Sequence, residues 1–401
     1  MDSFADLIAP FSRRGVDLGL DRLRAALAEL GHPEQQVQAV QVAGTNGKGS
    51  ICSFVEAGLR AAGIRCGLYT SPHLVSWTER IRIDSNPIAA QELRRILQHL
   101  QPLGLRFDLT PFELITAAAF VAFAEAGVEL AVLEVGLGGR LDATTCHPGR
   151  SLIGFASIGL DHAEVLGSTA AAIAAEKAGV LEPGCRAFSA HQSPEVRAVL
   201  HAEAERRGAA LTWVEPLDPG LWKLGLAGTV QHSNGAVAQA LLQGLADQGW
   251  PISEAAVREG FAAARWPGRL QPWTWQGRPL LLDGAHNLPA AQRLRAELDA
   301  GPERHGLSPG PRHWVIGVLA NKQGPEMLDT LLAPDDRAWL VTVPGHASWS
   351  RAALISARPA WSHQLNEAPD LEEALRAASA AASGTVVVAG SLYLLGTLLA
   401  G

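Results

Sequence analysis

The 401-residue chain is short of several things, and each shortage narrows what it can be. Lysine occurs only at Lys48, Lys177, Lys223 and Lys322, so arginine supplies the other 29 of the 33 basic residues. Arginine replaces lysine at most solvated sites, but not where a compact ammonium or a reactive amine is needed, so each lysine points toward function. Cysteine is equally scarce (Cys52, Cys66, Cys146, Cys185) and lacks paired spacing, which fits packed, reduced thiols in a cytoplasm. Positive charge is not in excess. A net charge of −7 argues against nucleic acid or an anionic membrane as partner. No apolar run reads as a membrane span: the most apolar region, 114–135, is broken by Glu125 and Glu129 and reads as a helix followed by a buried strand. The opening MDSFADLIAPF lacks a basic segment followed by an apolar one, so no signal peptide is expected. Internal repeats, heptads and low-complexity tails are missing as well. So is any Ser/His/Asp or reactive-cysteine arrangement.

What is present is a globular composition, 47% apolar and 18% charged, in a chain long enough to expect two domains. Strand-like runs (VQAVQVA, GIRCGLYT, ELAVLEVGL, SLIGFASIGL, RAFSA) alternate with Ala/Leu-rich helical patterns, the signature of a parallel sheet with helical crossovers. A second alternating set, PLLLDGAHN, HWVIGVLA, AWLVTV and TVVVAGS, follows WPGRLQPW, with helices expected over 286–300 and 373–383. The stretch 266–275 holds Pro, Gly and three tryptophans with few signs of regular structure, and the domain boundary is expected there, dividing 1–268 from 269–401.

In open α/β sheets ligands gather at the carboxyl ends of strands, and the informative residues fall at those ends. VAGTNGKGS (42–50) departs from the strict phosphate-loop pattern, because Gly49 separates Lys48 from Ser50. Its ingredients are those of a phosphate cradle: small residues that open backbone N–H groups, one lysine and one hydroxyl. A plain glycine-rich turn is the alternative. Glu134 ends an apolar strand and needs a cation, either Mg²⁺ or a salt bridge to Arg140. His162, after Asp161 at another strand end, reads as a metal or phosphate ligand or as a structural histidine. Lys177 in STAAAIAAEKAGV reads either as a helix-terminal lysine stopped by Gly179 or as a buried amine of depressed pKa. A neutral amine of that kind captures CO₂ as a carbamate. Arg269 in WPGRL is placed to clamp phosphate if the domains close, and Asp283 and His286 in LLDGAHN end a strand of the second domain. Lys322 in GVLANKQ is a surface lysine or an anion anchor.

These motifs together resemble the folylpolyglutamate synthase/dihydrofolate synthase family, relatives of the Mur ligases. The likeness spans nearly the whole chain: DLGLDRL, VAGTNGKGS, YTSPHL with ERIRI, PFELITAAAF, LEVGLGGRLDAT, SIGLDHAEVLG with AAEKAGV, WPGRLQ, DGAHN and GSLY. It implies an N-terminal P-loop ATPase domain with a mostly parallel sheet and a smaller, Rossmann-like α/β C-terminal domain. It also implies a two-step ligase: MgATP phosphorylates a carboxylate of dihydropteroate or a tetrahydrofolate (poly)glutamate, and the amine of L-glutamate displaces the phosphate. Carried over by motif, Asn46, Gly47, Lys48, Gly49 and Ser50 bind ATP phosphates. Ser50, Ser71 and Glu134 hold one Mg²⁺, and His162 lies at a second. Lys177 matches the lysine that is carbamylated in the family. Asn234, Arg269 and Asp283 match nucleotide contacts. Thr110, Pro111, Phe112 and Glu113, with Leu141, Asp142 and Ala143, match the pterin-side pocket, over which the loop of Asp17 and Leu18 closes. His286 and Arg351 match groups near the incoming glutamate or the γ-phosphate. A cytoplasmic monomer is expected.

Four positions depart from the family's usual pattern. Thr145 stands in LDATT where Asn is usual, and Gln41 where His often precedes VAGTNGKGS. AGTVQHSN keeps Gln231 and Asn234 but has Val230 where the family's usual H-Q-x-x-N has its His, and Gln323 replaces a commoner Asp. None removes an expected metal or phosphate ligand. The alternatives that remain are a folylpolyglutamate synthase only, another Mur-type ligase, and a P-loop ATPase that only switches conformation.

Overall fold

Strands that are apolar on both faces must lie inside a sheet covered by helices on both sides. A computed structural model, which describes residues 4–14, 17–307, 310–382 and 385–400, has two such sheets. They belong to two compact units, one of Met1–Gly225 with Gln231–Arg265, the other of Leu226–Val230 with Trp266–Gly401.

The first unit contains β1 (Gln38–Ala43), β2 (Cys66–Tyr69), β3 (Ile81–Ile83), β4 (Asn86–Pro87), β5 (Leu130–Glu134), β6 (Leu152–Phe155), β7 (Arg186–Ser189) and β8 (Ala210–Trp213). Their order is β4-β3-β2-β5-β1-β6-β7-β8, parallel from β2 to β8, with β3 and β4 added antiparallel at one edge. β2, β5 and β6 are buried along their whole length. The region 114–135 divides as its sequence suggested. Thr110 caps a helix over Pro111–Glu125, with Pro111 in the first turn, and β5 follows.

The second unit contains β9 (Gln271–Trp275), β10 (Arg278–Leu282), β11 (His313–Ile316), β12 (Arg337–Leu340), β13 (Leu365–Glu367) and β14 (Val386–Ala389). The order is β13-β12-β11-β14-β10-β9, and only β9 runs antiparallel. Leu281, Trp314, Ile316, Met327, Leu340 and Val387 form its core.

One expectation needs correction. The stretch 266–275 is not irregular, because β9 occupies its second half and pairs with β10 through a two-residue turn at Gln276 and Gly277, both with positive φ. That is the geometry of a type I′ hairpin, disguised by Gln in a place where Asn or Asp is usual. The second compact unit begins at Trp266 and also takes in Leu226–Val230. Thr229 shows why: its N–H and hydroxyl donate to Glu297 Oε2 at 2.8 and 2.7 Å, on the second unit's helix Leu288–Ala300. Among the described residues no helix is long and apolar enough to cross a membrane.

Candidate functional site

The strand order of the first unit sets β1 between β5 and β6, so the segments after β1, β2, β5 and β6 emerge at one sheet edge. After β1 the chain turns through Gly44 (φ +142°) and Gly47 (φ +102°) into the helix Lys48–Ala61. Neither glycine has room for a side chain. A Cβ on Gly44 would lie 2.7 Å from Ala156 Cβ, and one on Gly47 would lie 2.5 Å from Asn234 Oδ1. Asn234 therefore abuts the loop, and its Nδ2 donates to Gln231 Oε1 at 2.9 Å. The loop is pinned to the segment after β6: Thr45 and Asn46 N–H donate to Ser157 O, and Thr45 Oγ1 bonds both the O and the N–H of Gly159. Lys48 begins the helix and its Nζ donates to Thr45 O at 3.1 Å, while Gly49 and Ser50 are buried in the first turn. A helix start of this kind presents unpaired N–H groups and a positive dipole end to an anion.

β5 ends on Glu134, whose side chain is buried. Its Oε2 accepts from Ser71 N–H at 3.3 Å, across from the Ser71–Pro72 cis peptide that follows β2. Two expected metal ligands thus meet. Arg140, the other candidate partner of Glu134, pairs with Glu176 at 3.0 Å. Within SPHL, burial and the Arg80 charge push His73 down to about 4, so the ring is neutral and its Nδ1 accepts from Arg80 Nε at 2.9 Å.

After β6, His162 sits in the left-handed region (φ +51°), with Asp161 and Glu164 each 3.9 Å from its ring nitrogens. Lys177 is buried near the end of the helix Ala170–Ala178. Burial first, and then the Lys48 charge, draw its pKa from 10.5 to about 7, against the opposite pull of Asp161 and Asp142. Gly179 does not stop this helix through a left-handed turn, since its φ is −60°. It is needed for closeness: a Cβ there would lie 2.3 Å from Arg140 Cβ.

The residues expected on the pterin side form a second cluster. Thr110 and Glu113 cap each other's backbone N–H groups. Arg22 joins this cap to the DLGL loop, donating to Asp17 Oδ2 at 2.9 Å and lying 3.4 Å from Glu113. Leu18 is half-buried beside it. The Phe112 ring lies 6.0 Å from that of Tyr69, and a Cβ on Gly136 would lie 2.4 Å from it. Leu141 is half-buried, and Asp142 and Ala143 are buried. Asp142 clasps its own loop: Oδ2 accepts from the N–H of Gly136 and Leu137, and Oδ1 from the N–H and hydroxyl of Thr144.

In the second unit, Asp283 follows β10 and is half-buried. Its carboxylate accepts from Leu270 and Ala285 N–H at 3.0 and 2.9 Å, fixing the WPGRL turn. Burial raises its pKa and the Arg269 charge works against that rise. His286 Nδ1 donates to Gly284 O at 2.8 Å, since the carbonyl can only accept. Arg351 is committed differently. Its guanidinium donates to Leu365 O and Ser362 O at 2.7 and 2.9 Å, so it clamps residues 362–365.

Sequence reasoning passed over Arg22 and Arg150, and noted Asp161 and Gln41 without giving either a role. Arg22 and Asp161 lie inside quoted motifs and were legible there, whereas the partners of Gln41 and Arg150 come only from the fold. Among the described residues no three His, Cys, Asp or Glu side chains converge as a metal cage. One buried carboxylate with hydroxyls beside a phosphate loop suits Mg²⁺, which takes one or two carboxylates and leaves its other positions to phosphate and water.

Comparison with known proteins agrees with this arrangement. Residues 269–400 match the family described as dihydrofolate synthetase, C-terminal domain. The dihydrofolate synthase/folylpolyglutamate synthase of Bacillus subtilis is 36% identical over 311 residues, 70% of this chain and 72% of the relative. The structure of E. coli FolC in complex with DHPP and ADP superposes with a TM-score of 0.87 at 28% identity, covering 100% of this chain and 97% of that one. A bifunctional folylpolyglutamate synthase/dihydrofolate synthase with Mn, AMPPNP and L-glutamate bound superposes at 0.85 with 28% identity, covering 100% and 98%. With this sequence identity and these strand-end motifs, the chain belongs to the folylpolyglutamate synthase/dihydrofolate synthase family of ATP-dependent ligases.

Proposed function

We propose that this chain joins L-glutamate, in amide linkage and at the expense of ATP, to the carboxylate of dihydropteroate and to that of reduced folate (poly)glutamates. The observation that carries this reading is the meeting of the Lys48 loop, Ser71 and Glu134 at the ends of neighbouring strands, with a buried amine of pKa about 7 in the same unit. A carboxylate is a poor acyl donor. Its oxygen first attacks the γ-phosphorus of ATP, releasing ADP and leaving an acyl phosphate. The glutamate amine then attacks the acyl carbon, phosphate leaves with the bonding electrons, and the amine loses a proton.

Lys48 and the backbone N–H groups of Gly47–Ser50 hold the phosphates during transfer, so their charge has a fixed counter-ion. Asn46 and Asn234 shape the nucleotide loop. Ser50, Ser71, Glu134 and His162 are the residues that would hold two Mg²⁺ ions, which when bound neutralise phosphate charge. The Lys177 amine, about half neutral near pH 7, takes up CO₂ as a carbamate with loss of a proton and adds negative charge on that side. Thr110–Glu113 and Leu141–Ala143 seat the pterin, with the Asp17–Leu18 loop beside them. In the second unit Arg269 and Asp283 are assigned to nucleotide and His286 to glutamate, while Arg351 holds residues 362–365. The enzyme works as a cytoplasmic monomer, a setting supported by four buried, unpaired cysteines.

The test is ADP release by purified protein with dihydropteroate, tetrahydrofolate and L-glutamate omitted in turn. Release that needs glutamate and either acceptor supports the reading. ADP release indifferent to both would make the chain a conformational ATPase instead.

A further inference from the structure

Gln41 is fully buried in β1, between Val40 and Val42, where an amide with unmet hydrogen bonds would be destabilising. Both ends of the amide are bonded. Arg150 Nη1 donates to its Oε1, which turns Nε2 toward Thr144 and Thr145, and this nitrogen donates to their hydroxyl oxygens at 2.8 and 3.1 Å. Each threonine passes the bond onward: Thr144 Oγ1 donates to Asp142 Oδ1 at 2.5 Å, and Thr145 Oγ1 to Gly139 O at 2.8 Å. Arg150, itself buried, also bonds Glu182 and His147 O.

One strand side chain therefore grips the loop that leaves β5 after Glu134 and carries Leu141–Ala143. The same loop rests on the Lys177 helix, since Arg140 N–H donates to Glu176 O at 2.9 Å and a Cβ on Gly139 would lie 2.8 Å from Lys177 O. Gln41 and Thr145 are two of the four departures noted in the sequence. Separated by 104 positions, they are hydrogen-bonded to each other.

We propose that Gln41 and Thr145 are a matched positioning pair that sets the loop carrying Leu141–Ala143 and thereby the affinity for the pteroyl part of the acceptor. Neither residue touches the acceptor. A long amide reaches a short hydroxyl, and changing one member alone leaves a buried donor or acceptor unpaired and shifts the loop. The inference rests on the reading of Leu141–Ala143 as acceptor wall.

The test uses steady-state kinetics of the full chain with dihydropteroate and with tetrahydrofolate. Thr145→Val deletes the hydroxyl at constant volume, and acceptor KM should rise about fivefold while ATP KM stays within about twofold. Thr145→Ser keeps the hydroxyl and should keep KM. Thr145→Asn alone should raise KM, and Gln41→His/Thr145→Asn should bring it back toward the starting value. A folded Thr145→Val enzyme with unchanged acceptor KM, or single and double variants whose effects simply add, would overturn the pairing. Leu141→Ala reports on the wall itself. An unchanged acceptor KM in that variant would overturn the wall assignment, whereas a raised KM there beside an unaffected Thr145→Val would overturn the pairing alone.

Discussion

Lys177 and Arg150 are both buried basic residues of the first unit, and they are treated in opposite ways. Arg150 spends its guanidinium on Gln41, Glu182, His147 O and Val180 O. Among the described residues, Lys177 Nζ has no hydrogen-bond partner, and after burial the largest influence on it is the like charge of Lys48, only partly opposed by Asp161 and Asp142. A guanidinium cannot shed its proton in a protein, so burying one requires partners on every side. An ammonium can shed its proton, and a site that leaves it unanswered obtains a neutral amine near pH 7. The contrast separates scaffold from chemistry: answered charge holds a loop still, and unanswered charge is free to react.

The largest effect should come from the side of the site that does chemistry. Lys48→Ala removes the fixed counter-ion of the phosphates, and turnover at saturating ATP should fall about 100-fold or more. Near-normal turnover would remove the phosphate loop from the mechanism.

Lys177→Ala should lose activity on the order of 100-fold by the same argument, with partial recovery on adding a short carboxylic acid. Carbon-13 bicarbonate should give a carbamate signal in the parent enzyme, and active enzyme without that signal would make Lys177 a plain cation. The pH dependence has a definite sign. The folded-state pKa is about 7 against 10.5 in the unfolded chain, so between these values the unfolded state binds more protons and stability rises with pH. Below about 7 both states are protonated and the burial penalty is complete. CO₂ reacts only with the neutral amine, so carbamate occupancy and turnover should also rise as pH passes through about 7. Unfolding measured between pH 7 and 10 without CO₂ should show the slope in the parent and lose it in Lys177→Met.

The two halves of the contrast were not equally legible in the sequence. The phosphate loop, SPHL, Glu134 and Lys177 announce themselves because each is a polar interruption at the end of an apolar strand or helix. The alternation of strands and helices was readable for the same reason: buried elements are uniformly apolar. The edge strand β9 was not. Its residues are half-buried or exposed on both faces, and Pro272 further weakens its strand signal. The Gln41 network was equally silent. Gln41 looks like any polar residue in a strand, Arg150 like any surface arginine, and the 109 positions between them carry no spacing rule. Arg22 lay in plain view inside DLGLDRL, yet its role needs Glu113, which the chain brings up 91 residues later.

The scaffold side predicts a smaller, structural loss. Arg150→Met should destabilise the protein by about 2 kcal/mol, because Gln41 Oε1 and Glu182 lose their donor in a buried setting. This is less than for a wholly buried pair, since Glu182 is 28% exposed. Thermal unfolding should move down by several degrees, with ATP KM little changed in the folded fraction. An unchanged melting temperature would mean that Arg150 is not the anchor its contacts describe.

Arg22 lies between the two extremes and should give the smallest effect. Its guanidinium bonds both a side-chain oxygen and the backbone carbonyl of Asp17, at 2.9 and 2.8 Å, and reaches Glu113 with the same group. Lysine keeps the charge but has no planar fork, so Arg22→Lys retains one of these links at a time. The pair is partly exposed, 24% and 35% for Arg22 and Asp17, so solvent weakens it and the loss should be no more than about 1 kcal/mol. If the Asp17–Leu18 loop covers the pterin, that appears as an acceptor KM raised about fivefold, with kcat and ATP KM unchanged. Asp17→Asn should give a similar rise, and the double variant little more than either alone, because both break one link. A fall in kcat with unchanged acceptor KM would place Arg22 with the reacting groups and redraw the line between scaffold and chemistry.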